Sequence, residues 1–429
     1  MRVIRFDNPG FDRFLHRLDR RSEPDPAVER TVRTILDAVR LEGDRAVLRY
    51  TVEFGGPKLT PRRIRVTDAE IAAAGSDVPA DVKRALRAVH RNVRAFARRS
   101  LRKDWSMRNG QGARVGERFD PFDRVGIYVP GGTAPLVSTA IMTVTLAAVA
   151  GVPEIAVTSP AGLDGSLNSA LLFALELAGA TEIHRVGGAQ AIAALAFGTR
   201  TLRPVQKVFG PGNAYVVEAK RQVFGRIGVD LLPGPSEILV IADAGANPAW
   251  IAADLLAQAE HGKGSLALVA SDSAPFLASV AAELERQAST LGRATHLGPV
   301  LQHGTHLILT RDLDAAVDLA NRFAPEHLTL ATRNPRQLAT RIRTAGAIFL
   351  GHWSPVAAGD FAAGPSHELP TGGAGKAFPG LTTDMFQRRT SLVELDARSL
   401  ARTAPLVEAI ARVEGLDAHA RSATIRVQS

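Results

Sequence analysis

The sequence predicts an α/β protein with two doubly wound, Rossmann-like parallel-sheet domains. From Arg124 onward, short β-branched runs alternate with glycine or proline turns and with apolar periods of helical length, a pattern typical of parallel sheets with crossover helices. Helix starts are marked at Asn247-Pro248 and Asn334-Pro335, where an N-cap asparagine precedes a proline at the first helical position. A chain of 429 residues is long enough for two or three domains of ordinary size.

The predicted strands form two series. The first series is VGIYV (125–129), EIAVTS (154–159), EIHRVGG (182–188) and VQKVFG (205–210). The second is EILVIAD (237–243), SLALVAS (265–271), HLILT (306–310), HLTLAT (327–332) and AIFLG (347–351). The domains expected from these series are an N-terminal arm (1–25), a discontinuous first Rossmann-like domain (26–122 with 236–380), a second one (123–235) and a small helical C-terminal domain (381–429) with a strand-like TIRV near its end. The last is too small to stand alone, so we expect it to pack on another subunit.

Composition excludes several function classes. The chain has no cysteine, so neither a disulfide nor a cysteine nucleophile is available. The net charge of +9 raises the possibility of nucleic-acid binding, but only 5% of residues are aromatic, and the densest basic run, RRSLRK (98–103), ends a predicted helix as a solvated face. Residues 125–153 carry no charge but contain Pro130, Gly131, Gly132 and Pro135, which favours a buried strand and helix over a membrane span. The N-terminus lacks a secretory signal, so we expect a cytoplasmic protein.

Glycine turns after predicted strands are candidate phosphate-binding loops. They occur in YVPGGTAP, in FGPGNAY and at Gly187-Gly188, just before Gln190, and none completes the dinucleotide fingerprint GxGxxG. Each turn alone favours a plain turn over a phosphate-binding loop. Together they lie at carboxyl ends of predicted strands, where open α/β sheets bind ligands.

Two histidine patterns are candidate metal sites. His303 and His306 of HGTH are three residues apart but have no acidic partner nearby, and we expect a surface loop there. Gln258 and His261 of AQAEHG have helical spacing, although glutamine is a poor metal ligand. Other isolated polar candidates are Asp360 and His367, in a glycine-rich loop over 351–380, and Glu414 and His419 in the tail.

The segment FAPEHLTL places Glu326 and His327 together where a predicted helix ends and a strand begins. A turn after Pro325 would let both side chains reach one cleft. Histidine can accept a proton near neutral pH, and a neighbouring carboxylate can orient it or activate water. The alternative is a buried ion pair or a helix-end cap.

The chain resembles the histidinol dehydrogenase family. The resemblance is carried, in one order over residues 124–426, by VGIYVPGGTAPL, GGAQAIAALAFGT, FGPGNAYVVEAKRQV, GPSEILVIAD, LLAQAEHG, FAPEHL, GDFAAGPSHELPT and EGLDAHA. It implies a zinc enzyme that oxidises L-histidinol to L-histidine with two NAD, holding the intermediate aldehyde. It also implies a homodimer in which the tail of one chain completes the site of the other.

The resemblance further implies roles for individual residues. The zinc ligands, one ion per site, would be Gln258, His261, Asp360 and His419. His327 would be the general base and Glu326 would activate water. Ser236, Glu414 and His327 would contact substrate, and Tyr128, Gln190 and Asn213 would line the NAD site.

The departures from the family pattern that matter lie mostly in one loop. Ser366 and Glu368 replace residues of the usual NHVLPT, and Lys263 follows AEHG, where an aspartate-proline is commoner. Two alternative functions remain: a related zinc and NAD dehydrogenase for another small hydroxylated compound, such as a sulfonated diol, and, more distantly, a basic nucleic-acid-binding protein on a degenerate enzyme fold.

Overall fold

The computed structural model describes residues 3–18, 25–131, 135–292 and 294–428. Its strands, in chain order, are β1 (Val3–Arg5), β2 (Trp105–Arg108), β3 (Arg114–Pro121), β4 (Arg124–Tyr128), β5 (Glu154–Thr158), β6 (Glu182–His184), β7 (Lys207–Phe209), β8 (Gly228–Val229), β9 (Glu237–Ala242), β10 (Leu266–Ser271), β11 (Thr305–Leu309), β12 (His327–Ala331), β13 (Ala347–Leu350) and β14 (Gln387–Glu394). Its helices are α1 (Phe11–Arg17), α2 (Pro26–Glu42), α3 (Asp44–Glu53), α4 (Pro61–Ile64), α5 (Asp68–Asp77), α6 (Ala80–Ser100), α7 (Val137–Ala150), α8 (Ser169–Ala178), α9 (Gly188–Phe197), α10 (Ala214–Val223), α11 (Pro248–Ala259), α12 (Ala274–Ala288), α13 (Ala294–His303), α14 (Leu313–Phe323), α15 (Pro335–Ala339), α16 (Val356–Phe361), α17 (Ala397–Glu414) and α18 (Asp417–Thr424).

Two parallel sheets confirm the predicted doubly wound α/β fold. The larger has the strand order β1-β11-β10-β9-β12-β13, and the smaller has the order β6-β5-β4-β7-β8. After the central strand of each sheet, β9 or β4, the chain adds two strands on one side and then two on the other. This change of side creates a switch point between β9 and β12 and another between β4 and β7. The central strands β9 and β4 are fully buried, as continuous apolar runs in parallel sheets should be.

The N-terminal arm is part of the larger sheet. β1 pairs in parallel with β11, and α1 buries Phe11 and Phe14 in the core beneath that sheet. The sequence did not mark β1 as a strand, because three residues are too few to show a period. The rest of the predicted arm, residues 19–24, lies outside the described residues.

The helices between residues 26 and 100 pack on the helices that flank the smaller sheet. α2 lies against α9 and α10, α5 against α8, and α6 against α7. The predicted grouping of residues 26–122 with residues 236–380 therefore differs from the observed packing. An amphipathic helix shows in its sequence which face is buried, such as Val32, Ile35 and Val39 in α2, but not which surface covers that face.

A third, antiparallel sheet was not predicted. It has the order β14-β3-β2 and pairs Gln387–Glu394 with Arg114–Pro121, so it ties the start of the C-terminal region to the segment before the smaller sheet. The tail beyond it is helical as expected, although the predicted strand-like TIRV instead ends α18 and forms a turn. None of the helices in the described part of the chain has both the length and the apolar character needed to cross a membrane.

Candidate active site

The adjacent Glu326 and His327 lie where α14 ends and β12 begins. α14 stops at Phe323, Ala324 takes a left-handed conformation with a φ of 52°, and Pro325 follows. Ala324 is the one non-glycine residue of the described chain with a positive φ, a conformation that costs an L residue roughly 1–2 kcal/mol. The turn leaves both side chains buried, with Oε2 of Glu326 3.5 Å from Nδ1 of His327, so the two side chains lie side by side.

The carboxylate of Glu326 is held by the start of β9. Its Oε2 accepts hydrogen bonds from the hydroxyl of Ser236 at 2.5 Å and from the backbone N–H of Glu237 at 2.9 Å. Burial raises the pKa of Glu326 above its ordinary value, and the charge of His327 and the two hydrogen bonds oppose this only in part. Burial therefore makes the carboxylate of Glu326 a stronger base than an exposed glutamate.

The imidazole of His327 has a polar partner at each nitrogen. Nδ1 lies 3.3 Å from the carbonyl oxygen of Glu237, and Nε2 lies 3.2 Å from Oδ1 of Asp360. Burial lowers the pKa of His327, but the carboxylates of Glu326 and Asp360 outweigh burial and raise this pKa to about 9. With Nδ1–H donating to the carbonyl, Nε2 is the nitrogen that takes up or releases the second proton.

This cluster lies at the amino ends of β9 and β12. Ligands of open α/β sheets usually bind at the carboxyl ends instead. α11 connects β9 to the parallel β10, so it runs back along the sheet and brings its own C-terminal end to the same edge. That end carries Gln258 and His261.

Three of the four residues predicted to bind zinc converge at this edge. Gln258 is buried, and its Nε2 has no hydrogen-bond partner; the exposed His261 follows it, with Nδ1 3.2 Å from the carbonyl oxygen of Gln258. Burial would raise the pKa of Asp360, but the hydrogen bond from His327 and the nearby charges of His367 and His261 lower this pKa below its ordinary value. His261 is thus close enough to Asp360 to interact with it electrostatically.

The donors of these three side chains fit a zinc ion. An amide oxygen, an imidazole nitrogen and a carboxylate oxygen are hard or borderline ligands, and no hydrogen bond from its Nε2 fixes the buried amide of Gln258 within the described chain. Within the described part of one chain, no group of three His, Asp or Glu side chains forms a metal site by itself.

The glycine-rich loop over residues 351–380 links the two parallel sheets. Nδ1 of His367 lies 2.9 Å from the carbonyl oxygen of Asp360, and its Nε2 lies 3.1 Å from the hydroxyl of Thr139 on α7. The non-family residue Glu368 is buried beside it, with Oε1 3.4 Å from the same Nε2. His367 is therefore more than the isolated polar group that its sequence suggested.

Glu237 has a central place that sequence reasoning missed. Its N–H binds Glu326, its carbonyl oxygen faces His327, and its Oε1 accepts the N–H of Gly372 at 3.0 Å. Two of these three contacts are made by the backbone of Glu237. Every residue type has the same backbone groups, so the sequence does not show which partner they bind. The only available signal was its position directly after Ser236 in GPSE.

The predicted NAD residues gather at the carboxyl edge of the smaller sheet. Tyr128 ends β4, and its hydroxyl accepts the N–H of Gly188 at 3.2 Å. Gln190 follows in α9, buried, with an Oε1 that has no hydrogen-bond partner, while the exposed Asn213 caps α10. β4 and β7 flank the switch point of this sheet, which is the usual position of a dinucleotide. Gly132 of the first glycine turn lies outside the described residues.

The two remaining tail candidates stay apart from this site within one chain. Glu414 ends α17 and His419 lies in α18, both exposed, and these two helices pack chiefly on each other. The expected surface loop at HGTH is also not observed. His303 ends α13 and His306 lies in β11, with its ring edge-on to Phe14 at 5.0 Å.

A doubly wound sheet with a buried carboxylate–imidazole pair, joined to a second with a dinucleotide-type switch point, is the arrangement expected of an oxidoreductase of the dehydrogenase class. The sequence model of histidinol dehydrogenase matches residues 18–427. The chain is 45% identical to the histidinol dehydrogenase of Synechococcus sp. over 97% of this chain and 96% of that one, and 46% identical to that of Rhizobium meliloti over 99% and 98%. It belongs to the histidinol dehydrogenase family, whose members are NAD-dependent oxidoreductases.

A solved structure supports the same assignment. The crystal structure of histidinol dehydrogenase from Elizabethkingia anophelis superimposes with a TM-score of 0.95 and is 32% identical over 99% of this chain and 98% of that one. The resemblance inferred from the sequence phrases is therefore confirmed.

Proposed function

We propose that this enzyme oxidises L-histidinol to L-histidine in two successive NAD-dependent steps and holds the intermediate aldehyde between them. Family membership supports the substrate. The observation that carries the proposal is the buried pair of Glu326 and His327, because an alcohol oxidation needs a base for the hydroxyl proton and an aldehyde oxidation needs activated water. We place this reaction in histidine biosynthesis; its cytoplasmic location stays a prediction.

His327 is the proposed base of the first step. Its Nδ1 faces a backbone carbonyl, which leaves Nε2 to take the hydroxyl proton as hydride leaves the same carbon for NAD. Asp360 now faces that nitrogen. A cation bound by Asp360 would draw this carboxylate away from His327 and lower the pKa of the imidazole toward the range of a useful base.

Glu326 is the proposed base of the second step. Its raised pKa, caused by burial, suits it to take a proton from water as the water adds to the aldehyde, and the hydrate then loses the second hydride. The chain has no cysteine, so a route through a covalent thiohemiacetal is unavailable and water must supply the second oxygen.

Gln258, His261 and Asp360 of one chain would hold a zinc ion, with His419 from a second chain as the fourth ligand. The ion would supply Lewis-acid polarisation and fix the substrate near the nicotinamide. Ser236 would contact substrate beside Glu326.

Tyr128, Gln190 and Asn213 are the proposed NAD residues. The unpartnered amide oxygen of Gln190 and the exposed side chain of Asn213 are both available to a ligand at the switch point. Tyr128 would act from β4 through its buried ring.

A homodimer would bring Glu414 and His419 into the site of the neighbouring chain. Both are exposed on the tail, and α17 also exposes an apolar stripe at helical spacing that a partner would cover: Leu406, Ile410 and Val413.

The related dehydrogenase of a sulfonated diol is the less favoured alternative. The described surroundings of the His327 ring include two carboxylates, those of Glu326 and Asp360. Carboxylates attract the amine of an amino alcohol and repel a sulfonate. For the nucleic-acid alternative, the basic run at the end of α6 is part of an exposed helix face, as expected of a solvated one.

The decisive experiment counts NADH formed per L-histidinol consumed at limiting substrate, with and without a chelator. We expect two NADH for each substrate, loss of activity with the chelator, and recovery with zinc. One NADH would contradict the second oxidation. Activity unaffected by a strong chelator would contradict the metal, and turnover of a sulfonated diol but not histidinol would favour the alternative substrate.

A further inference from the structure

A buried ion pair lies directly behind the loop that follows β7. Lys220, on α10, is fully buried, and Asp230, just after β8, has a side chain that is 3% exposed. The ammonium of Lys220 pairs with a carboxylate oxygen of Asp230. Burying two charges is expensive, and a pair of apolar side chains often stabilises a protein as well. The position of the pair therefore calls for a reason beyond packing.

Both members of the pair bind the backbone of one loop residue, Gly210. Nζ of Lys220 donates to its carbonyl oxygen at 2.8 Å, and Oδ2 of Asp230 accepts its N–H at 2.7 Å. Gly210 has a φ of 108°, and a Cβ there would lie 2.0 Å from the carbonyl oxygen of Tyr128. Two charged side chains thus bind the backbone of Gly210, and its Cα lies against the end of β4.

The opposite side of the same loop faces outward. Asn213 and Tyr215 are exposed, and Asn213 uses its side-chain oxygen to accept the N–H groups of Tyr215 and Val216 at the start of α10. The loop therefore has a fixed inner side, set by the ion pair, and an accessible outer side beside the switch point between β4 and β7.

We propose that Lys220 and Asp230 are positioning residues for NAD: their ion pair pre-organises the loop of Gly210 to Asn213 against Tyr128 before the cofactor binds. A loop already held in its bound conformation loses less entropy when the ligand arrives, so its affinity is higher. This inference rests on the proposed placement of NAD at this edge. Neither side chain touches the cofactor in this proposal.

The first test uses the unmodified enzyme. Hydrogen–deuterium exchange of the peptide over residues 207–216 should be slow without NAD and change little when NAD is added, because the N–H of Gly210 is already bonded to Asp230. Fast exchange without NAD, followed by strong protection on adding it, would show a loop ordered by the cofactor and would overturn the proposal.

The second test removes the pair. The double variant Lys220→Met/Asp230→Asn deletes both charges yet keeps an oxygen that can accept the N–H of Gly210. The matched control is Arg221→Met on the same helix, whose ion pairs are with Glu218 and Glu29 and not with Asp230. We expect the double variant to raise the KM and the Kd for NAD about 10-fold or more, as the loss of a charged hydrogen bond would. The KM for histidinol and the zinc content should stay within about twofold of the control.

The outcomes separate this proposal from the function on which it rests. A double variant whose KM for NAD matches that of Arg221→Met would overturn the positioning role and leave the function intact. So would an equal loss of affinity for both substrates together with a lowered Tm, which a merely structural pair would produce. A wild-type enzyme without NAD-dependent turnover would overturn the function itself. Should the double variant not fold, the exchange experiment on the wild type decides.

Discussion

His327 has an oxygen close to each ring nitrogen, and these two oxygens determine what it can do. The carbonyl of Glu237 occupies Nδ1, and the carboxylate of Asp360 occupies Nε2. The first contact sets the tautomer, and the second supplies the negative charge that helps raise the pKa of His327 to about 9. A base of that pKa is protonated at neutral pH, and the zinc proposed to bind Asp360 would lower the pKa of His327 by engaging that carboxylate.

Replacing His327 by asparagine should abolish turnover and leave the metal in place. Asparagine cannot take the hydroxyl proton, and the loss of a general base typically costs about 10²- to 10⁴-fold in rate. Zinc content, measured by mass spectrometry on the purified variant, should match the wild type because His327 is not a proposed ligand. The exposed His303→Asn serves as a control and should keep full activity. Loss of zinc from the His327 variant would contradict its assignment as the base.

Asp254 offers a test of burial without a partner. It lies one turn before Gln258 in α11, and burial raises its pKa to about 6. Its ionised form is therefore disfavoured in the folded state, so its relative contribution to stability is fully present below the unfolded pKa of about 3.9 and is lost as the pH rises through about 6.

Asp254→Asn should consequently stabilise the protein at pH 8. We expect a gain of about 1–2 kcal/mol after allowing for partial exposure, which corresponds to a rise in Tm of about 2 °C for a chain of this length. The gain should disappear at pH 4. Scanning calorimetry in the presence of a chelator measures this without a contribution from metal binding, and Asp37→Asn, on the exposed face of α2, is the control. A pH-independent gain would contradict the assigned cause.

At the scale of elements, alternating patterns in the sequence predicted the two parallel sheets, but not everything packed on them. β4, β9 and β12 were predicted because fully buried strands read as apolar runs. The antiparallel pairing of β14 with β3 joins segments far apart in the chain, and no local pattern encodes such a partner. The same limit explains why helices 26–100 were grouped with the wrong sheet.

The candidate site shows the same division. Adjacent Glu326 and His327, and the spacing of Gln258 and His261, were visible in the sequence. Glu237 and the link from His367 to Thr139 were not. The first acts largely through its backbone and the second joins residues from the two halves of the chain, and neither property appears in a one-dimensional pattern.

The close approach of Gly210 to the end of β4 can be tested by comparing it with Gly225, which follows α10 and has open space around it. Gly210 and Gly225 both have a positive φ, but a Cβ at Gly210 would lie 2.0 Å from the carbonyl oxygen of Tyr128, whereas one at Gly225 would meet nothing within 4 Å. Gly225→Ala should cost only the roughly 1–2 kcal/mol of the left-handed conformation. Gly210→Ala should lower Tm further and weaken NAD binding, measured by titration calorimetry. Equal effects of the two substitutions would contradict the close approach.

At the scale of the whole molecule, one chain does not assemble the complete predicted site. Gln258, His261 and Asp360 converge at the amino edge of the larger sheet, while His419 is exposed on a tail whose helices pack chiefly on each other. The tail is fixed at its base by β14, which pairs with β3. The tail is thus anchored at its start and exposes Val413 and His419 near its end. Such an element is suited to contact a second copy of the chain.

Mixing two inactive variants should therefore restore activity. His419→Ala removes the ligand given to the partner, and Gln258→Ala removes a ligand that each chain keeps for itself, so each homodimer lacks a ligand at both sites. In a mixed dimer, one site combines the intact Gln258 of one chain with the intact His419 of the other, while the second site loses both. Random reassociation of equal amounts makes half of the dimers mixed, with one working site in two, so about a quarter of wild-type activity should return.

The control for this experiment is a mixture of His419→Ala with Asp360→Ala set against a mixture of Gln258→Ala with Asp360→Ala. The first mixture should recover like the original pair, because its two lesions lie in opposite contributions to the shared site. The second should stay inactive, because each chain then lacks one of the ligands that it contributes to its own site, so no site is complete. Native mass spectrometry of differently labelled chains must show that mixed dimers have formed. If they form and neither His419→Ala mixture regains activity, each site is built within a single chain and the tail does not cross.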